Sequence, residues 1–263
     1  MYASASASPS VEPRKRIAPA ASAVAELLVH ERDRDMPGVA IPRPEIELVV
    51  RFGPATRAGL DVHAMGVRQR VYRKLIRGGQ RTVSARLHLG AHEAVLGVPA
   101  SEIAGRVVAL EDLWGSATTR RLCERLGEAS SVAGAATILQ SAIAERTALA
   151  SGQRGGAQLA LAAAERLTKA SVSSVAYDLR VSERHLRRVF QEAIGMSPKT
   201  FARLARFRHA LRAARESDHQ GWASIAAAAG YYDQAHLIAE FRLIASASPQ
   251  RLLSELRTSV AVG

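Results

Sequence analysis

The stretch SVSSVAYDLRVSERHLRRVFQEAIGMSP, residues 171–198, decides how the chain is read. Val172, Val175, Ala176 and Leu179 recur at helical spacing, so 172–179 reads as a short amphipathic helix. A turn follows at Arg180-Val181. Ser182 then offers a hydroxyl to the first free amides of the next helix, the usual chemistry of an N-cap. In that helix Leu186, Val189 and Phe190 face inward, which leaves Arg184, His185, Arg187, Arg188 and Gln191 outward. Gly195 suits a left-handed helix end, and Ser197-Pro198 opens a further helix.

Residues 222–249, WASIAAAAGYYDQAHLIAEFRLIASASP, repeat the scheme. Trp222, Ile225, Ala226 and Ala229 form the first stripe. Gly230 sits at the turn, where glycine alone takes a positive φ cheaply. Asp233 caps a helix whose inner face is Leu237, Ile238 and Phe241 and whose outer set is Gln234, Ala235, His236, Ala239 and Arg242. Trp222, Tyr231 and Phe241 read as core residues rather than base-stacking platforms. Between the two units, Pro198 to about Arg215 reads as one long basic helix. A short helix, a tight turn and a second helix with a polar outer face is the geometry that lays one helix in the major groove of DNA. Arginine matches the paired acceptors of guanine, and glutamine those of adenine.

Charge agrees with this reading. The 263-residue chain has 36 Lys+Arg against 24 Asp+Glu, net +12, with a pI near 10.9. Within 180–215, Arg180, Arg184, Arg187, Arg188, Lys199, Arg203, Arg206, Arg208, Arg212 and Arg215 meet only Glu183 and Glu192. Ten against two is too one-sided for an ordinary solvated helix face and points to a polyanion. Arg206, Arg208 and Arg212 are assigned to DNA backbone or solvent.

Working toward the N-terminus, SGQRGG (151–156) is a linker by composition. Residues 41–100 contain β-branched or alternating runs at Glu45–Phe52, Gly66–Ile76 and Arg81–Leu89, which predict short antiparallel strands. From Ser101, a plausible N-cap, to about residue 150 the spacing turns helical. Residues 1–40 read as a loose tail holding one short helix, SAVAELLVHERDRD. The expected architecture is therefore α+β: a strand-rich N-terminal domain with trailing helices (41–150) and an all-α domain (157–256) with two helix-turn-helix units joined by a long helix. No apolar run approaches the ~20 residues of a membrane helix. The small, polar start lacks the apolar core of a secretory signal, which leaves a soluble, cytoplasmic chain.

Chemistry of other classes finds little support. Phosphate-loop and nucleophile-elbow motifs are missing. Cys123, in RRLCERL, is the only cysteine. An alkyl-accepting thiol activated by flanking arginines is the one enzymatic reading to weigh, and a small hydrophobic filler is the better one. His63, His88 and His92 lack a regular metal spacing, so no metal and no cofactor is expected.

The pattern Ser182, Leu186, Arg188, Phe190, Gly195, Ser197, Pro198, recurring as Asp233, Leu237, Phe241, Ser248, Pro249, resembles the DNA-binding domain of AraC/XylS-type regulators. The stretch VLGVPASEIAGRVVALEDLWG (95–115), with GYYDQAH, resembles a subgroup that has a sensor-like N-terminal domain. The resemblance implies a transcription activator without enzymatic activity. Double-stranded DNA, RNA polymerase, a small-molecule effector and a second copy of the chain are its implied partners. Base contacts carried over fall on Arg184, Arg187 and Arg188, then on Gln234, Ala235 and His236. Ser182, His185, Gln191 and Arg242 complete the expected DNA-facing set. Ser246 stands where the second unit's glycine is expected, and Ala235 and Ala239 offer no hydrogen bonds. The first unit is thus expected to specify and the second to anchor.

Overall fold

The computed structural model describes residues 15–17, 23–54, 56, 59–150, 155–216 and 221–261. In chain order its first elements are β1 (Lys15–Ile17), β2 (Val24–Arg32), β3 (Met36–Ala40), β4 (Glu47–Phe52), β5 (Leu60–Met65), β6 (Tyr72–Ile76) and β7 (Gln80–Leu87). Next come α1 (His92–Leu96), α2 (Ala100–Ile103), β8 (Val107–Ala109), α3 (Leu110–Trp114), α4 (Ser116–Gly127) and α5 (Val132–Leu149). The chain ends with α6 (Gly155–Leu167), α7 (Val172–Asp178), α8 (Glu183–Ile194), α9 (Pro198–Glu216), α10 (Trp222–Ala228), α11 (Gln234–Ala245), α12 (Pro249–Thr258) and β9 (Val260–Ala261). Strands thus precede helices, as an α+β reading requires.

Several N-terminal expectations are corrected. The run expected as a short helix within a tail is strand β2, and β3 follows it. Leu27, Leu28 and Val29 are all buried in succession, so the run shows neither helical nor alternating period, and pairing with two neighbours decides for strand. Of Gly66–Ile76 only Tyr72–Ile76 is strand, while β5 lies just before that run. Ser101 is inside α2 rather than capping it, and β8 interrupts the stretch expected to be helical. Gly155 and Gly156 belong to α6, and the remainder of the expected linker, 151–154, lies outside the described residues, as do residues 1–14 and 18–22.

Six strands form one sheet in the order β1-β2-β7-β4-β5-β8, antiparallel at every step. Register places Val50 opposite Val83 and Val62, so Leu27, Leu48, Val50, Val83, Ala85 and Ala64 share a buried apolar face. Helix α5 packs on that face against β2 and β7. The opposite face is also covered but polar, carrying Glu47, His63, Ser84 and Arg86, with Arg86 paired to Glu26. A second sheet, β6-β3-β9, joins the two ends of the chain, because β9 pairs in parallel with β3 at Gly38↔Val260.

Further contacts hold the sheet region to the C-terminal helices. Helix α2 packs on α8. The Val71 amide donates to the Ile244 carbonyl at 2.9 Å. Arg73 Nε donates to Glu255 at 2.8 Å. Arg208 on α9 faces Glu45 at 3.8 Å and is two-thirds covered, so it is an interface residue rather than a solvent or DNA-backbone one. Loss of solvation pulls its guanidinium below the ordinary arginine range, and Glu45 opposes that shift.

Candidate nucleic-acid interface

The two helix-turn-helix units are built from the same local bonds. In the first, the Arg180 amide donates to Tyr177 and the Val181 amide to Ala176, each at 3.0 Å. In the second, the Gly230 amide donates to Ala227 at 3.1 Å and the Tyr231 amide to Ala226 at 2.9 Å. This pair of bonds closes a helix C-terminus around one left-handed residue. Glycine fills that place at Gly230 (φ +77°), but Arg180 takes it at φ +54° in the first unit. A left-handed arginine costs about 1 kcal/mol, which the following packing must offset. The sequence signals a glycine turn only in the second unit, so this feature of Arg180 was not anticipated.

The caps follow. Ser182 Oγ accepts the His185 amide at 3.2 Å, and Asp233 Oδ1 accepts the His236 amide at 2.7 Å. Gly195 and Ser246 both end their helices in left-handed conformation. Aligning cap with cap sets Arg184 against Ala235, His185 against His236, Arg187 against Ile238, Arg188 against Ala239 and Gln191 against Arg242. The second turn is one residue longer, and Tyr232 occupies the extra place.

Helix α9 holds both recognition helices. Its Phe201 meets Phe190 of α8 edge-on at 5.3 Å between ring centroids, and its Phe207 meets Phe241 of α11 at 4.6 Å. Arg203 on α9 also reaches Glu240 of α11 at 3.1 Å. Phe190, Phe207 and Phe241 are fully buried, so each recognition helix is seated by a large apolar contact on its inner side. Tyr231 is buried with them, and burial raises its hydroxyl pKa well above the ordinary tyrosine value.

On the outer side, Arg184, His185, Arg187, Arg188, Gln234, Ala235, His236 and Arg242 are exposed, and Gln191 is half-buried. Arg184, Arg188 and Gln191, spaced i, i+4 and i+7, form one stripe down the middle of α8. Arg187 lies beside that stripe, and its side chain is as exposed as that of Arg188. Arg187 pairs with Glu183, and Arg188 with Glu192 at 3.2 Å. Exposed pairs of this spacing contribute only about 0.3–0.5 kcal/mol, so they yield easily to a stronger partner. Two exposed aromatics escaped the sequence reading: Tyr177 on α7, 84% exposed, and Tyr232, 92% exposed. An unmatched aromatic on the outer face of a short helix is the signal that marks Tyr177.

The remaining candidates sit elsewhere. Cys123 is half-buried on α4, and burial, with Asp61, Glu111 and Glu124 nearby, pushes its thiol up, opposite to the activation a reactive thiolate needs. His63 is buried with Nδ1 3.2 Å from Asp61, and desolvation, with Arg51 nearby, brings its pKa to about 4. His92 is buried at the start of α1 and likewise falls to about 4 through desolvation. Among the described residues no group of three His, Cys, Asp or Glu side chains comes together to hold a metal, and no helix is long and apolar enough to cross a membrane.

Residues 175–255 match the family described as a helix-turn-helix domain. No curated protein matches the chain. Among solved structures, ToxT from Vibrio cholerae is similar at 7% identity and a TM-score of 0.43, over 87% of this chain and 96% of that one. ToxT from Vibrio cholerae strain SCE256 with a bound unsaturated fatty acid gives 7% and 0.43, over 89% and 95%. The AraC-like transcriptional activator CuxR gives 14% and 0.22, over 73% and 74%. These overlaps are too slight to establish a common fold by themselves.

Proposed function

We propose that this chain, whose C-terminal region is an AraC-type helix-turn-helix domain, is a sequence-specific transcription regulator that acts on double-stranded DNA in the cytoplasm. The observation that carries the reading is the repeated turn-and-cap geometry of the two units, with the outer face of α8 rich in arginine. Arg184, Arg187 and Arg188 read base edges from the outer face of α8, and His185 and Gln191 flank them. In the second unit Gln234, His236 and Arg242 make fewer base contacts, because Ala235 and Ala239 replace the central arginines. Ser182 and Asp233 serve as caps and bring their helix starts to the phosphates.

The N-terminal domain takes the regulatory part, roughly residues 41–150 together with the strands that precede them, while 157–256 binds DNA. Control by a small-molecule effector is supported by the packing of α2 on α8 and by the bonds from the N-terminal domain to α9, α11 and α12. Recruitment of RNA polymerase and formation of a homodimer belong to the same reading. The first is tested by transcription in a purified system, the second by the mass of the chain on DNA.

Selection of bound sequences from a random duplex library tests the central claim. Enrichment of one motif spanning two adjacent major grooves is expected. Failure of the chain to bind any duplex at low salt defeats it.

A further inference from the structure

Between the two units lies a cleft of about 960 Å³ whose floor is α9. Lys199, Ala202, Arg206 and His209 follow one another along that floor at i, i+3, i+7 and i+10, a single stripe of the helix. One wall is the link between α6 and α7, including Lys169; the other is the turn Ala228–Gly230 that leads into α11. Three of the lining side chains (Lys169, Lys199 and Arg206) are cationic, His209 is a fourth nitrogen donor, and none is acidic. Unlike Arg187 and Arg188, none of the four enters an ion pair among the described residues. Arg206 is held in place by Tyr231, whose ring lies 5.7 Å beneath its guanidinium. Its Nε is buried with no hydrogen-bond partner among the described residues. The alanines keep the floor shallow enough for a chain to approach the helix.

We infer that this cleft seats a DNA phosphodiester strand, the one that crosses from the groove entered by α8 to the groove entered by α11; the inference rests on the DNA-binding reading above. The first helix of such a unit crosses the DNA backbone, and the start of the second meets the bases. The cleft is bounded by the start of α7 and the approach to α11, so a strand spanning the two grooves passes over α9. Phosphates there meet Lys169, Lys199 and Arg206 without displacing any acidic partner. Such contacts carry no sequence information and set the register of the two units on the duplex.

The test is anisotropy titration of the full chain on a labelled mixed-sequence duplex of about three helical turns, from about 50 to about 200 mM salt. Lys169→Ala and Lys199→Ala should each lower the slope of log K against log salt by about 1 and weaken all sequences equally. Ala202→Phe fills the floor without changing charge, and should also weaken binding and lower the slope. Arg120→Ala and Arg121→Ala, exposed on α4, which packs against α3, α5 and β5, serve as controls. Thermal midpoints at the wild-type value confirm that the variants fold. If the wild-type chain binds but the cleft variants keep its slope, or lose no more than the α4 controls, the cleft assignment is overturned and the DNA-binding reading stands. If the wild-type chain binds no duplex, both fall.

Discussion

Replacing Gly195 by alanine tests how the sheet region is joined to the first recognition helix. Gly195 closes α8 at φ +79°, its amide donating to the Gln191 carbonyl at 2.9 Å. A left-handed alanine costs about 1–2 kcal/mol on its own. The position is also crowded: a β-carbon here lies 2.9 Å from Val67 Cγ2 and 3.0 Å from the Ala100 carbonyl oxygen. Val67 is a stiff, buried β-branched neighbour and Ala100 O is backbone of α2, so relief requires moving α8 away from the sheet region. Overpacking of this kind costs about a further 1–3 kcal/mol. Gly105 supplies the control, since it has φ +73° and nothing within 4 Å of an added β-carbon. Gly105→Ala should therefore show the conformational cost alone. In thermal unfolding followed by circular dichroism, each kcal/mol lowers Tm by about 2–4 °C for a chain of this size. Gly195→Ala should fall below Gly105→Ala by the packing contribution, and Val67→Ala should cost less in the Gly195→Ala background than in the wild-type chain. Equal midpoints for the two glycine variants would show that α2 and α8 do not meet as described. Gly195→Ala should also alter DNA affinity more than its loss of stability accounts for, because it displaces the end of α8.

Other outcomes follow from the same geometry. Arg187→Ala and Arg188→Ala should each relax preference at one base position and cost about 1–3 kcal/mol on the selected site, whereas equal weakening on every duplex would mark that arginine as a backbone contact; competition with single-base variants of the site distinguishes the two. Ser246 pays for a left-handed φ of +53° that glycine takes freely, so Ser246→Gly should raise Tm, worth up to about 1 kcal/mol. His63 and His92 titrate near 4 when folded and near 6.5 when unfolded. Below 6.5 the unfolded chain therefore binds protons that the folded chain refuses. The stability they contribute is complete above 6.5 and lost as pH falls toward 4, at about 1.4 kcal/mol per unit for each histidine. Urea midpoints should drop between pH 6.5 and 4.5, and His92→Gln should flatten that fall.

The C-terminal units were legible because everything that defines them is local. Ser182 caps an amide three residues on, Gly195 and Gly230 close their own helices, and Leu186, Val189 and Phe190 show a clean helical period. Arg180 was not legible as a left-handed residue, since nothing in an arginine announces a positive φ. In the N-terminal part the deciding interactions are distant. Strand β2 takes its form from β7, which is remote in sequence (Val24 pairs with Leu87 and Arg32 with Gln80), and Leu27-Leu28-Val29 conceal any period because both faces are covered. Nor does any local pattern tell that Arg208 leaves the basic set to meet Glu45.

These distant contacts bear on how the two halves act together. The first unit is held where Gly195 meets Val67 and Ala100, and the second where Ile244 and Glu255 meet Val71 and Arg73. Helix α9 is held at Arg208. Because β3 pairs with β9, the end of the chain belongs to the same sheet as β6. Both recognition helices also rest on α9 through Phe190–Phe201 and Phe207–Phe241. A shift of the sheet region must then either break these contacts or carry the units with it. The first sheet and the second grip different units, through α2 and through β6 respectively, so a change that moves one relative to the other alters the spacing of α8 and α11. Two helices reading one duplex tolerate little error in that spacing, since successive grooves lie about 34 Å apart. On the DNA-binding reading proposed above, a small displacement at the sheet face would therefore change DNA affinity without any change in the outer faces of α8 and α11.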